Sequence, residues 1–479
     1  MIKIFGYLTY LDRELKAISP ELGVLGLFGN MRREYLAREM SQQTRKYADR
    51  VGSEYPVDVL PAPFNEGLHQ LAGRKGLQWE DTEFHLRYRA TDGDELALVS
   101  PLAAGNPEGV KRSIRKGFKA SMLPLNAILP EEVHAKFVPP EDYFEPHPTS
   151  RPDPYGQYTD KAVIRDADGF YLASRKFPHT VLMNITYDCP VGCVGCYKSA
   201  AGTREEKRII DFGVSLSTVE RQADGLADWL NSHPEVYDVI ISGGEPLLAG
   251  NDAVGYVFER LKDAGNLDIV RICTGAIFQG LPFRIDDELV DLLMEFSGET
   301  GRRVTFNAHL SNHYQITPEA LMAVEKITES GFKIYSQVPI QEGVNYFRDD
   351  PEKTREFLVE LGRRQAVAGI EPYKWIMDMH PRTPKRYVPL EMALKTWGEI
   401  SDSHEYPELQ RPRTFSILCE EGNILLSGHT LYSMDKQVDV ERGVVVYKIP
   451  GFGARRTFTY SEPLLPGYND NPESPRFKA

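Results

Sequence analysis

The stretch "TVLMNITYDCPVGCVGCYKSAAG", residues 180–202, places three of the chain's five cysteines directly behind a strand-like run. Cys189, Cys193 and Cys196 are spaced CxxxCxxC, and no fourth cysteine stands nearby. Thiolates suit zinc or iron–sulfur clusters. A structural zinc site normally shows four ligands in paired short spacings. Three cysteines in one loop can instead hold three irons of a 4Fe–4S cluster and leave the fourth iron open, as a catalytic metal centre keeps one position open. Two other readings use the same residues. One is a three-cysteine zinc site completed by a distant histidine. The other is a redox disulfide between Cys193 and Cys196, which leaves Cys189 without a role.

Outward from this loop the chain alternates. "TVLMNITY" leads through the cysteines to the helical "LSTVERQADGLADWLNSH". "VYDVIISGG" is followed by "AVGYVFERLKDAG", and "DIVRICTG" by "DDELVDLLMEFS". "RVTFNAHL" precedes "TPEALMAVEKITESG", "KIYSQVPI" precedes "PEKTREFLVELGRRQAVAG", and "PYKWIMDM" precedes "PLEMALKTWGEISDSH". These are six strand–helix units. Serial strand–helix units imply an α/β protein with a parallel sheet. Six of them suit a partial (β/α)6 TIM-type barrel with N-terminal and C-terminal extensions. The expected divisions are an N-terminal α/β region of unknown role at 1–136, a proline-rich connecting segment at 137–178, the core barrel at 179–404 and a β-rich extension at 405–479.

Composition narrows the class. The chain has 479 residues, 41% hydrophobic and 26% charged, which is ordinary for a globular protein. Its formal net charge of -13 disfavours nonspecific nucleic-acid binding. No apolar run approaches the roughly 18 residues of a membrane span, and the brief apolar start is interrupted by Asp12 and Arg13. Five cysteines in this length do not read as a disulfide framework. The expectation is a cytoplasmic protein that uses its clustered thiols for metal.

In a barrel of this kind the active site lies at the C-terminal ends of the strands. The cysteine loop follows the first core strand. The second ends in "SGGEPLL", where Ser242, Gly243, Gly244 and Glu245 combine a bare backbone with a carboxylate. The third ends at Cys273 and Thr274, the fourth at His309, the fifth near Gln337 and Glu342, the sixth at Asp378 and His380. Tyr187 and Tyr197 flank the cysteine loop. Cys273 and Cys419, away from the motif, are read as small buried residues.

CxxxCxxC after the first strand, with GGEP after the second, resembles the radical S-adenosylmethionine (SAM) superfamily. The resemblance implies that Cys189, Cys193 and Cys196 hold a 4Fe–4S cluster and that SAM chelates its open iron. It further implies that Gly243, Gly244 and Glu245, beside Ser242, meet the SAM amino group. One departure is Gly195, where the family places an aromatic residue; Tyr197 follows the third cysteine instead. The segments "SRKFPHTVLMNITYDCPVGCVGC", "HPEVYDVIISGGEPLL", "VRICTGAIFQGLPFRID", "NAHLSNHYQIT", "SQVPIQEGVN" and "YSEPLLPG" are similar, in the same order, to those of the lysine 2,3-aminomutase family. The similarity covers roughly residues 125 to 467.

That family holds pyridoxal phosphate (PLP) through a lysine in a glycine-rich segment near the C-terminal end. The comparable place here, "RTFSILCEEGNILLSGHTLYSM", residues 413–434, has no lysine and no glycine run. A Schiff base needs an amine, so PLP is not expected. Lys436, just beyond, is read as a solvated charge. A PLP-free enzyme on this scaffold is similar to the radical SAM diol dehydratases of apramycin-type aminoglycoside biosynthesis. That resemblance implies dehydration of an amino sugar such as paromamine, an electron donor, and a separate reductase for the product, with homo-oligomerisation left open. Catalytic groups are then expected among Asp378, His309 and His380, with Gln337 and Tyr197 at the cofactor. An amino-acid 2,3-aminomutase with relocated PLP and a non-catalytic zinc-binding scaffold are the alternatives.

Overall fold

A computed structural model describes residues 82–87, 89–115, 121–127, 129–140, 161–196, 215–377, 387–403, 414–419, 422–426, 430–451 and 456–471. All six expected strands form: β3 (Thr180–Thr186), β4 (Asp238–Gly243), β5 (Ile269–Thr274), β6 (Arg303–His309), β7 (Lys333–Ile340) and β8 (Glu371–Met377). Their helices follow in turn: α1 (Leu216–Asn231), α2 (Asn251–Leu261), α3 (Asp287–Thr300), α4 (Pro318–Glu329), α5 (Pro351–Ala368) and α6 (Leu390–Asp402). The helix starts are written in the sequence. The Ser215, Asp286 and Thr317 side chains each accept a backbone N–H from the first turn, and Pro318 takes the position where a missing N–H costs nothing. Gly301 and Gly369 close α3 and α5 in the left-handed conformation.

The sheet is larger than expected at both edges. It has ten strands in the order β1 to β10. β1 (Val163–Arg165) and β2 (Tyr171–Phe177) add antiparallel to β3, so part of the proline-rich connecting segment is sheet. On the other side β9 (Thr414–Cys419) pairs parallel with β8, and β10 (Gly422–Leu426) returns antiparallel along β9. The hairpin expected in a C-terminal extension is therefore the continuation of the main sheet. Its residues signal strand but carry nothing that names the partner strand. Only β11 (Asp435–Asp439), β12 (Val444–Pro450) and β13 (Thr457–Pro463) form a separate three-stranded sheet.

Strand alternation positions the site. On β5, Val270, Ile272 and Thr274 are buried while Ile269, Arg271 and Cys273 are half-buried; on β7, Ile334, Ser336, Val338 and Ile340 are buried and alternate with Tyr335, Gln337 and Pro339. Successive side chains of a strand point to opposite faces. The pairs Ile240/Ser242, Arg271/Cys273, Asn307/His309, Gln337/Pro339 and Lys374/Ile376 all line one cavity of about 490 Å³. Strands stand about 4.8 Å apart, so a single chamber touched by strands from β3 to β10 requires the sheet to curl around it.

Lys436 is not a solvated charge. It lies on the first strand of the small sheet with its side chain at 0% exposure, 2.9 Å from the Glu391 carboxylate on α6. Nearby, Glu462 is fully buried and accepts from Tyr447 and Asn469 on one oxygen and from Tyr387 and the Leu390 N–H on the other. Burial pushes its carboxyl up to about 7 against the pull of these donors. The folded chain then keeps a proton that the unfolded chain releases near pH 4.5. Its contribution to stability is present below about pH 4.5 and lost toward pH 7, on the order of 3 kcal/mol. Chemical denaturation across that window should show the loss in the natural chain. Glu462→Gln should be less stable throughout but flatter with pH; equal slopes would refute the assignment.

Candidate active site

The cysteine loop leaves the C-terminal end of β3, and Cys189, Cys193 and Cys196 all line the cavity, none of them in a disulfide. Four contacts fix the loop. The Ser121 hydroxyl donates to the Pro190 carbonyl at 2.6 Å, and the Val194 N–H to the Lys136 carbonyl at 2.6 Å. The Gln341 amide donates to the Val194 carbonyl at 3.0 Å, and the Cys193 thiol stands 3.6 Å from the Gln279 Oε1. Gly195 has φ +92°, a conformation that side chains rarely adopt. The turn before the third cysteine thus explains why glycine stands where an aromatic residue was expected. What the three thiols share is a chamber. Among the described residues, no three His, Cys, Asp or Glu groups gather closely enough to hold one ion. A 4Fe–4S cluster bound by three cysteines takes one iron per thiolate and asks for a wider triangle.

Ser242, Gly243, Gly244 and Glu245 line the cavity beside the loop. The glycines are required by protein backbone rather than by a ligand alone. A Cβ at Gly243 would overlap the Thr186 carbonyl, and one at Gly244 the Asp188 carbonyl. At that close approach the Gly244 N–H donates to Thr186 O at 2.6 Å and the Glu245 N–H to Asp188 O at 2.7 Å. The exit of β4 is therefore clamped to the chain that leads into the cysteines.

Glu245 turns inward. It is 3% exposed and accepts from the Leu247 N–H at 3.2 Å, the Thr274 hydroxyl at 2.7 Å, the Gly275 N–H at 2.7 Å and the Ala276 N–H at 3.0 Å. A carboxylate offers about four lone-pair sites, and these four donors fill them. Burial raises its pKa while the donors oppose the rise. Glu245 thus fixes the mouths of β4 and β5, and its charge reaches the cavity without a spare acceptor.

His309 and Gln337 end up side by side, paired in register on β6 and β7, and both line the cavity. His309 has a partner that the motifs did not reveal. Lys136, buried after the short helix Glu131–His134, places its Nζ 3.1 Å from His309 Nε2 and also bonds Ser311. An ammonium can only donate, which assigns the His309 proton to Nδ1. Burial and then the Lys136 charge hold its pKa well below the usual range. His309 is a neutral hydrogen-bond donor rather than a charged acid. No sequence signal pointed to Lys136, which lies 173 residues upstream of its partner in a motif-free region.

Tyr197, Asp378 and His380 lie outside the described residues. Tyr187 does not line the cavity, and Glu342 is occupied by the Arg348 backbone N–H and guanidinium. Cys273 corrects its expectation: it is half-buried and faces the chamber, because its strand alternation places it beside Arg271. Cys419 falls on β9, and its side chain lies outside the described residues.

Three thiols in the loop behind β3 thus face a walled chamber beside a rigid glycine turn. No family model matches the chain. Its relatives are 2,3-aminomutases. It is 26% identical to a putative L-lysine 2,3-aminomutase of Aquifex aeolicus over 57% of this chain and 69% of that protein. It is 26% identical to the L-lysine 2,3-aminomutase of Clostridium subterminale over 56% and 60%. It is 24% identical to the glutamate 2,3-aminomutase of Clostridioides difficile over 64% and 67%. The chain thus spans about two thirds of the length of these relatives. The cofactors of this radical SAM group are a 4Fe–4S cluster and SAM, and the cysteine triad and the glycine turn fit both. PLP is not expected, since residues 413–434 offer no lysine. Among the described residues, no helix is long and apolar enough to cross a membrane.

The clamp between β4 and the cysteine loop can be broken. Gly244→Ala must displace the Asp188 backbone, so iron bound per chain after anaerobic reconstitution should fall severalfold. Gly298→Ala, with open space around its Cβ, should load normally. Equal loading of both variants would show that the clamp does not hold the loop.

Proposed function

We propose that the chain is a radical SAM enzyme, that its curled sheet is the partial barrel of that superfamily, and that it abstracts hydrogen from a polar small molecule. The observation that carries the reading is the convergence of Cys189, Cys193 and Cys196 with Ser242–Glu245 on one chamber. Bound together and reduced, the cluster and SAM supply a 5′-deoxyadenosyl radical. The protein's part is positioning and exclusion of water. Gly243 and Gly244 bring bare backbone to the SAM amino group, with the Glu245 charge behind them. His309, held by Lys136, presents a fixed N–H to the ligand, and Gln337 supplies an amide beside it.

Without an imine, the reaction that suits this chamber is dehydration of a vicinal diol. Hydrogen leaves a carbon bearing one hydroxyl, and that hydroxyl gives its proton to a base. The neighbouring hydroxyl departs with a proton as water. A hydrogen atom, returned by 5′-deoxyadenosine or supplied as an electron and a proton by the donor, completes the carbonyl product. The base is expected at Asp378 or His380, which follow β8 in the sequence, and a separate reductase would act on the product. The amino-sugar form of this reading needs carboxylates for its ammonium groups. Glu245 is the carboxylate that the described chamber provides, and its lone pairs are taken. The second reading, an amino-acid 2,3-aminomutase, is favoured by the names of the relatives.

Anaerobically reconstituted protein should release 5′-deoxyadenosine from SAM and reductant, and Cys193→Ala should abolish the release. Cleavage that survives in that variant would contradict the cluster assignment. A bound PLP absorption band, bleached by borohydride, would decide for the aminomutase.

A further inference from the structure

The most buried of the three thiols meets a side-chain amide. Cys193 is 9% exposed, whereas Cys189 and Cys196 are half-buried. Its Sγ stands 3.6 Å from the Gln279 Oε1, and Gln279, itself buried, lines the same chamber. Gln279 comes from the turn that follows β5, 86 residues along the chain from Cys193.

That turn holds the amide in place. The Gln279 N–H donates to the Gly275 carbonyl at 2.8 Å, and the Gln279 carbonyl accepts from the Asn126 amide at 2.8 Å. The side chain folds back over Gly275, where a Cβ would overlap Oε1 and Cδ of the amide. Gly275 leaves that room and gives its own N–H to Glu245 at 2.7 Å. One short turn thus serves both Glu245 and the neighbour of Cys193. Among the described residues, the hydrogen bonds of Gln279 use its backbone and Oε1, and Nε2 is left over.

The chemistry of the sulfur decides which end of the amide it meets. A neutral thiol donates to Oε1, but a cysteine that binds metal is a thiolate and only accepts. A carboxamide carries an acceptor at one end and two donors at the other. A half-turn about the Cγ–Cδ bond exchanges them, and with Nε2 unengaged it breaks no other hydrogen bond. An N–H aimed at a ligating sulfur stabilises the more electron-rich state of an iron–sulfur cluster, and such bonds help to set its reduction potential. They count most where the surroundings are dry, and Cys193 is the best shielded of the three thiols.

We propose that Gln279 tunes the cluster: its side-chain amide donates to the Cys193 sulfur and raises the potential at which the bound cluster is reduced. The inference rests on the radical SAM reading for the presence of the cluster. One electron enters from a low-potential one-electron donor, no proton moves, and Gln279 keeps both amide hydrogens.

The test is an anaerobic redox titration of the reconstituted protein, read by electron paramagnetic resonance, for the natural chain and for Gln279→Met. Methionine keeps the length of the side chain and removes the donor. At the natural midpoint potential the variant's ratio of reduced to oxidised cluster should be about fivefold lower, the scale of one hydrogen bond. That is a shift of about 40 mV to more negative potential. In the natural chain labelled with nitrogen-15 at its glutamine side-chain amides, pulsed paramagnetic resonance of the reduced cluster should show a nitrogen coupling that Gln279→Met loses. A Gln279 that merely fills space gives no such coupling. Iron and sulfide content reports loading, and if the variant does not load, the labelled natural chain decides alone. With the cluster present, an unchanged or raised midpoint in Gln279→Met, no coupling in the natural chain, or a coupling undiminished in the variant would each overturn the proposal and leave the radical SAM reading standing. Zinc without sulfide in the natural chain would overturn both.

Discussion

The site depends on one backbone contact. β3 and β4 leave the sheet so close together that the Thr186 and Asp188 carbonyls occupy the space where side chains at Gly243 and Gly244 would stand. The two N–H···O bonds at this crossing couple the glycine turn to the cysteine loop as one rigid unit. On the proposed reading, a cluster bound by three thiols would need those thiols held in place, and SAM would need the turn fixed beside them. One contact serves both needs, because the same backbone carries them.

Around this crossing, buried polar groups act on structure more than on ligand. Glu245 spends its acceptors on three backbone N–H groups and a hydroxyl, stitching β4 to β5. Lys136 spends a charge on fixing the tautomer of His309 and ties residues upstream of the sheet to the strand mouths. Asn126 does the same from the adjoining turn, donating to the Gln279 carbonyl at 2.8 Å, while Gln279 itself faces Cys193. Segments that look unrelated in the sequence thereby share one chamber wall. Such preorganisation is what a site needs when its reactive species must meet substrate and not water.

How much of this was legible follows the range of the signals. Strand and helix identity is local, and "VYDVIISGG" or the Thr317–Pro318 cap states it within a few residues. The cysteines and GGE are local too, and both line the chamber. Pairing is not local: the 414–426 hairpin reads as β whether it lies on β8 or elsewhere. Lys136, Cys273 and Lys436 were misjudged or missed for the same reason. Lys136 and Lys436 acquire their roles from residues far along the chain, His309 and Glu391, and Cys273 from the chamber that the distant strands close around it.

The most direct test of the cluster assignment is electron paramagnetic resonance of the anaerobically reconstituted, reduced protein with and without SAM. The account requires a reduced 4Fe–4S signal, with matching iron and sulfide, whose g-values shift when SAM binds the open iron. A zinc-loaded protein without sulfide, or a cluster signal that SAM leaves unchanged, would contradict it.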